Sequence, residues 1–345
     1  MSEVFTLRRK DYSLSDEQAA LRESFRAYFD KTVDAARVRA AEPLGFDPAL
    51  WEELQDRQLI TMALPESVGG DDAGLVELAL LAEEVGRRAV PVPLIETIVA
   101  ARALSCLAPS GDLLSRLRDK AAIVTIAPGW GDRRLIPAGA IAEAALARRG
   151  DELVLLPVPS LKPPAVGNLA CAPLGWLDFG DHMDSTVLGT AAEFVRIERE
   201  WQVLMAAALV GLGQTALDLG VRYANERTAF GAQIGAFQAI AHPLVDAAIG
   251  VEGARRLAWR AAWFADNEPE AAGTLAISAL LSAGAAAEKA GAVAIHTQGG
   301  FGFTVESDVQ LFYRRAKGWA VMAGDRRTLL RTFADATLGA VGVGL

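Results

Sequence analysis

The chain has 345 residues, 52% of them hydrophobic, with a formal net charge of −9 and an isoelectric point near 5.1. That is enough chain for two or three domains around a large core. The absence of any Lys/Arg-rich block argues against nucleic-acid binding. Two cysteines, Cys106 and Cys171, exclude a disulfide framework and fit a reducing cytoplasm. Three widely spaced histidines, His182, His242 and His296, offer no metal-ligand cluster.

The opening stretch, MSEVFTLRRKDYSLSDEQ, lacks an apolar run of signal-peptide length. From residue 11 to about 118 the pattern is helical. Ser13 or Ser15 is placed to cap the stretch from Asp16 to Glu42. A second helix is predicted over Pro48–Gln58, with Asp47 as cap and Pro48 at the first helical position. A Pro/Gly turn, ALPESVGGDDAG, leads to a third over Leu75–Val85, and Pro91 and Pro93 precede a fourth over Ile95–Leu107.

The texture changes between about 121 and 195. Short apolar runs such as AAIVTIA and ELVLLPVP alternate with Gly, Pro and Asp, which predicts strands and turns in a small β domain. Helix returns from Glu198. One long apolar-periodic segment reaches as far as Phe230, and helices are predicted over 233–267, 269–297 and 306–336, an antiparallel bundle. The run Ile277–Ile295 is long and apolar, but Glu288 and Lys289 interrupt it, which predicts a packed core helix and no membrane span. The expected class is mainly α with a small β domain: an N-terminal helical domain over 1–120, a reduced middle β domain over 121–195, and a C-terminal four-helix bundle over 196–345.

Several stretches carry a resemblance. LPESVGG (64–70) is followed by LAEEVGR; RTAFGAQIGAFQAIAH (227–242) and QGGFGFTVESDVQLFYRRAK (298–317) come later in the same order. Together they resemble the acyl-CoA dehydrogenase family, whose enzymes use FAD to oxidise the Cα–Cβ bond of acyl-CoA thioesters. The resemblance spans nearly the whole chain. It implies that Arg227, Phe230, Phe237 and Gln238 contact the diphosphate and adenosine half of FAD, usually on a neighbouring subunit. A guanidinium suits a diphosphate because it offers a fixed, bidentate set of donors. The stretch HTQGG implies further contacts from His296, Gln298, Gly299 and Gly300, although the family more often has Gln at the position of His296.

The reaction needs a carboxylate base beside the substrate α-carbon. The commoner family position falls on Ala323, with Gly324 matching the family Gly and Asp325 replacing a Thr. The other lies 26 residues before Arg227, at Trp201, beside Gln202 where many members have Arg. Neither Ala nor Trp accepts a proton. Glu200 is the nearest alternative base, Glu198 lies three residues away from that second position, and Glu306 reads as a loop-fixing carboxylate. The middle segment TIAPGWGDRR keeps only Thr125 and Pro128 of the usual flavin-contacting motif.

These losses resemble the short partner chains of heterotetrameric, steroid-degrading members of the family. The resemblance implies a chain that completes an FAD site across an interface and acts on acyl-CoA together with another acyl-CoA dehydrogenase subunit. Two other readings stay open here: a self-sufficient dehydrogenase with its base moved to Glu200, and a flavin-free scaffold or acyl-CoA binder. All three imply a homo- or hetero-oligomer, in the cytoplasm, with no metal.

Overall fold

The computed structural model describes residues 13–120, 122–129, 131–158, 164–179, 184–322 and 324–338. Its N-terminal part is helical: α1 (Asp16–Thr32), α2 (Ala35–Ala40), α3 (Pro48–Asp56), α4 (Leu75–Arg87), α5 (Leu94–Leu107) and α6 (Asp112–Arg118). Ser15, and not Ser13, caps α1: its Oγ accepts from the Gln18 N–H, and the Gln18 side chain accepts from the Ser15 N–H. Asp47 caps α3 as expected, accepting from the Leu50 N–H at 2.9 Å. The single helix expected from Asp16 to Glu42 is broken at Val33–Asp34, where Asp34 turns into the cap of α2.

The middle part holds β1 (Val124–Ala127), β2 (Arg133–Ile136), β3 (Ala144–Arg149), β4 (Glu152–Pro157), β5 (Gly175–Asp178) and β6 (Thr186–Thr190). One sheet runs β1-β3-β4-β6; β1 and β3 are parallel and the other pairs antiparallel, with Val124 opposite Ala144 and Leu146 opposite Leu155. β2 and β5 form a separate two-stranded ladder. A small core of Ile136, Val154, Leu156, Leu177 and Phe179 lies between them.

The C-terminal part is a bundle of α7 (Ala191–Glu226), α8 (Gln238–Asn267), α9 (Pro269–Ala272), α10 (Leu275–Gln298), α11 (Val309–Trp319) and α12 (Arg326–Leu338). Thr190 and Glu193 form a reciprocal capping box at the start of α7. Three expected helices end or divide earlier than the periodicity suggested. The segment ending at Phe230 leaves the helix at Glu226; the 269–297 helix is split at Gly273, φ +45°; and the 306–336 helix is split before Gly324, φ +119°. A positive φ is open to glycine and stops a right-handed helix.

α7 is the axis of the molecule. It is long and apolar enough to cross a membrane by length and composition, yet most of it is buried against α4, α8, α10 and α11. Its crossing with α4 is a backbone contact. A Cβ at Gly86 of α4 would come within 1.8 Å of the Ala208 carbonyl oxygen, and one at Gly211 of α7 within 1.9 Å of the Glu83 oxygen. Charges seal the same seam: Arg255 of α8 holds buried Glu83 at 2.9 Å, and Arg87 pairs with buried Glu84 and with Asp30 of α1. In α10 the small residues Ala279, Ala283, Ala287, Ala290 and Ala294 face inward. Glu288 and Lys289 face out and pair with Lys317 and Asp246.

Candidate functional site

The stretch RTAFGAQI does not continue α7 or begin α8. It folds as a two-residue β-hairpin, with Thr228 paired to Gln233 and Ala229 to Ala232. Phe230 (φ +52°) and Gly231 (φ +80°) form the turn. Two successive positive φ values give the turn whose twist suits a hairpin. Helical periodicity missed it because the Ile234, Phe237, Ile240 spacing spans a turn of 3₁₀ helix and only the first residues of α8. Phe230 is a bulky residue held in a region that glycine prefers. Its ring is 98% exposed and touches Phe237 edge-on, with centroids 6.3 Å apart.

Arg227 terminates α7 and is exposed, and its guanidinium has no ion-pair or hydrogen-bond partner among the described residues. Gln238 opens α8, whose first-turn N–H groups receive no side-chain cap. The start of α8 and the end of α10 then share a shallow depression of about 200 Å³, lined by Ile240, Pro243, Val293, His296 and Thr297. His296 points outward, whereas Gln298 is turned inward and accepts from the Ser307 hydroxyl at 2.7 Å. Gly299 adopts φ +64°, and a Cβ at Gly299 or Gly300 would meet nothing within 4 Å. The backbone there is open to an approaching group. Phe301 and Phe303 extend the same exposed apolar rim; only the alternation in GGFGF signalled them. His242 is exposed on α8. Glu306 is also exposed, and the Thr304 hydroxyl holds its carboxyl below the usual range.

This end of the bundle has the features an anionic dinucleotide needs: an unpaired guanidinium, an uncapped helix N-terminus, exposed aromatic faces and unobstructed glycines. The middle part offers a different environment. Thr125 is fully buried, and its hydroxyl donates to the Pro137 carbonyl at 2.7 Å. Arg134 lies inside the β1–β2 connection, donating to the carbonyls of Ala127 (2.9 Å), Gly129 (3.0 Å) and Arg148 (2.9 Å). Its guanidinium stacks 3.9 Å from the Phe179 ring centroid, and burial pushes its pKa down to about 10. Glu198 accepts from the Gly129 N–H at 3.0 Å; burial raises its pKa, opposed by that hydrogen bond and by Arg134. The groups of this connection are thus spent on holding the loop.

A crevice at the junction of the three parts is lined by Glu96, Cys171, Met205, Arg315, Trp319 and Met322, among others. Its volume is about 40 Å³, space for a water or two. Met322 precedes Ala323, which itself lies outside the described residues. Trp201 is fully buried, and its indole N–H makes a long 3.5 Å contact with Glu96. Burial raises the pKa of Glu96. Arg315, 1% exposed, is held by Glu42 at 3.0 Å. Gln202 is buried, and its Oε1 is without a partner among the described residues.

Glu200 does not line this crevice. It pairs with Arg102 at 3.1 Å, and burial raises its pKa despite that cation. Arg102 also donates to the Ala73 carbonyl at 3.0 Å and lies 3.7 Å from Asp266 of α8, whose carboxylate in turn accepts from the Leu75 N–H that opens α4. Glu200 therefore belongs to a node joining the 64–74 turn, α5, α7 and α8. No single motif marks that node, because its members are scattered along the chain.

Residues 15–108 match the profile of the acyl-CoA dehydrogenase N-terminal domain, and residues 194–338 that of the acyl-CoA dehydrogenase C-terminal domain. The chain is 30% identical over 326 residues to acyl-CoA dehydrogenase IpdE2 of Mycolicibacterium smegmatis, covering 92% of this chain and 98% of that protein. Among solved structures it resembles a Tcur3481–Tcur3483 steroid ACAD G363A variant, with a TM-score of 0.86, 27% identity and coverage of 94% and 98%. The ChsE4–ChsE5 complex from Mycobacterium tuberculosis shares the fold, with a TM-score of 0.85, 24% identity and the same coverage.

Proposed function

The chain belongs to the acyl-CoA dehydrogenase family of oxidoreductases, and from that premise we propose that it is the non-base subunit of a heteromeric, FAD-dependent enzyme. In this reading Arg227 binds the diphosphate of an FAD whose ring lies in a partner subunit. Phe230, Phe237, Gln238, His296, Gly299 and Gly300 receive the adenosine end, and Gln298 sets the loop through Ser307. Flavin, when bound, supplies the acceptor for the hydride leaving Cβ of an acyl-CoA. The α-proton goes to a carboxylate of the partner. This chain contributes binding and orientation of the cofactor and excludes water from one side of it.

The observation that carries the reading is a contrast within one molecule. The Arg227 guanidinium, suited to a diphosphate, has no partner among the described residues at the bundle end, while Thr125, Arg134 and Glu198 are consumed inside the loop where a flavin ring would need contacts. The 40 Å³ crevice is too small for a thioester, and Glu200 is committed to Arg102; both weigh against a self-sufficient enzyme. The division into 1–120, 121–195 and 196–345, and a cytoplasmic location, belong to the same proposal. The names of the relatives suggest the substrate class: bulky acyl-CoA such as a steroid side chain.

Co-expression with a full-length family member tests this. The purified complex is expected to be yellow, to contain both chains and to bleach with acyl-CoA, while the isolated chain is colourless. A partner that carries full flavin and full activity alone would overturn the proposal, and so would an isolated chain that is yellow and active.

A further inference from the structure

The short helix α2 carries two arginines that reach in opposite directions, because residues two apart on a helix are turned by about 200°. Arg37 points back to the N-terminal helices. It donates to Asp47 at 2.6 Å, to Glu53 at 2.9 Å and to the Thr32 carbonyl at 3.0 Å, which ties α2 to α1 and α3. Arg39 points to the bundle end, into the turn between Phe303 and α11. Its Nη2 lies 3.1 Å from the Val305 carbonyl oxygen, 3.4 Å from that of Ser307 and 2.8 Å from Asp308 Oδ1. Neither carbonyl receives a backbone N–H among the described residues, so Arg39 is the donor that satisfies them.

Burial does little to hold this turn, since Phe303 and Val305 are mostly exposed. Two backbone bonds close it locally, from the Thr304 N–H to the Phe301 carbonyl and from the Ser307 N–H to the Thr304 carbonyl. Ser307 at its base is buried. The Ser307 hydroxyl donates to Gln298 Oε1 at 2.7 Å and accepts from the Val309 N–H at 3.3 Å. Gln298 in turn leads directly into Gly299 and Gly300, whose backbone is open. Contacts therefore run unbroken from α2, through the 304–308 turn, Ser307 and Gln298, to those glycines.

We infer that Arg39 is a positioning residue for the adenosine end of the cofactor: it fixes the 304–308 turn and, through Ser307 and Gln298, the backbone at Gly299 and Gly300. The N-terminal part thereby takes part in cofactor binding through a residue that touches no cofactor. This rests on the flavin reading above. An exposed turn that loses its one cationic donor samples other conformations, and apparent affinity falls with the fraction of chains that keep the competent one.

Two measurements on Arg39→Met test this. In the isolated chain, amides 299–306 should exchange faster with solvent, while exchange in α1, α3 and α7 is unchanged; unchanged exchange at 299–306 would overturn the inference whatever the flavin does. In the complex with a co-expressed full-length family member, the Kd for FAD, titrated into the flavin-stripped complex, should rise about five- to ten-fold, as for a competent fraction of about a fifth to a tenth. Arg39→Lys, which keeps the charge opposite Asp308, should recover part of the affinity. Because Arg39 acts through Gln298, Gln298→Ala added to Arg39→Met should weaken FAD no more than the larger single change, whereas Arg227→Met should multiply the loss. An unchanged Kd for Arg39→Met beside a weakened Arg227→Met would overturn the role of Arg39 alone, and so would losses from Arg39→Met and Gln298→Ala that simply multiply. An unchanged Kd for Arg227→Met would instead overturn the flavin reading, and this inference with it.

Discussion

Replacing Arg102 with Met separates a structural from a catalytic role for Glu200. The Arg102 side chain is 21% exposed, and its partners Glu200 and Asp266 are 30% and 31% exposed. A fully exposed pair contributes under about 1 kcal/mol, and removing one member of a fully buried pair costs about 3–5 kcal/mol. The partial exposure places Arg102→Met between these limits, at about 2–3 kcal/mol of lost stability. Two carboxylates are left without their cation, and the Ala73 carbonyl loses its donor. Urea denaturation of the purified chain measures this loss. Adding Glu200→Gln to the Arg102→Met chain should recover about 1 kcal/mol, since one stranded charge is gone and contacting residues couple. A loss below about 0.5 kcal/mol for Arg102→Met would refute the node, being no more than an ordinary surface change. Glu200→Gln abolishing turnover of the assembled enzyme at unchanged stability would point instead to Glu200 as a base.

Glu96 should produce a pH signature. Its carboxyl is neutral in both states at low pH; as pH rises from the ordinary value of 4.5 the unfolded chain ionises first, because burial holds the folded-state pKa above it. Stability should fall across that window, and Glu96→Gln should flatten the fall, measured as the thermal midpoint at acidic and mildly alkaline pH. Gly211→Ala places a methyl 1.9 Å from the Glu83 carbonyl oxygen and should destabilise by about 1–3 kcal/mol or more, seen as a lower urea midpoint. Phe230→Asn should leave stability unchanged or raise it by up to about 1 kcal/mol, since Asn tolerates positive φ and the lost ring is exposed. Flavin content of the complex should nonetheless drop, read from the ratio of visible to ultraviolet absorbance. Arg227→Met should lower flavin content further, with no change in the melting of the isolated chain.

The helical and β stretches were legible in the sequence because periodicity and caps are local: Ser15, Asp47 and the runs that became β1 and β4 act over a few residues. The assignment of the usual base positions to Ala323 and Trp201 comes from counting against a family pattern; Trp201 is fully buried with its indole N–H 3.5 Å from Glu96, and Ala323 lies outside the described residues. Periodicity predicts helix as far as Phe230 and again from 233, and it overlooks the hairpin turning at Phe230–Gly231, which only backbone dihedrals and strand pairing reveal.

Composition and order of motifs by themselves determined the class of the chain and its family, and singled out the run of residues proposed to meet a nucleotide. Tertiary structure alone decided which of those residues remain available. The Arg227 guanidinium has no partner among the described residues, while Arg134, also close to a motif, is used up on three carbonyls. Glu200, one residue from the position where the family resemblance would put a base, is drawn to a guanidinium 98 residues away. The reason is that a charge in a folded chain answers to whatever burial and packing bring within a few ångströms, and sequence distance does not report those neighbours.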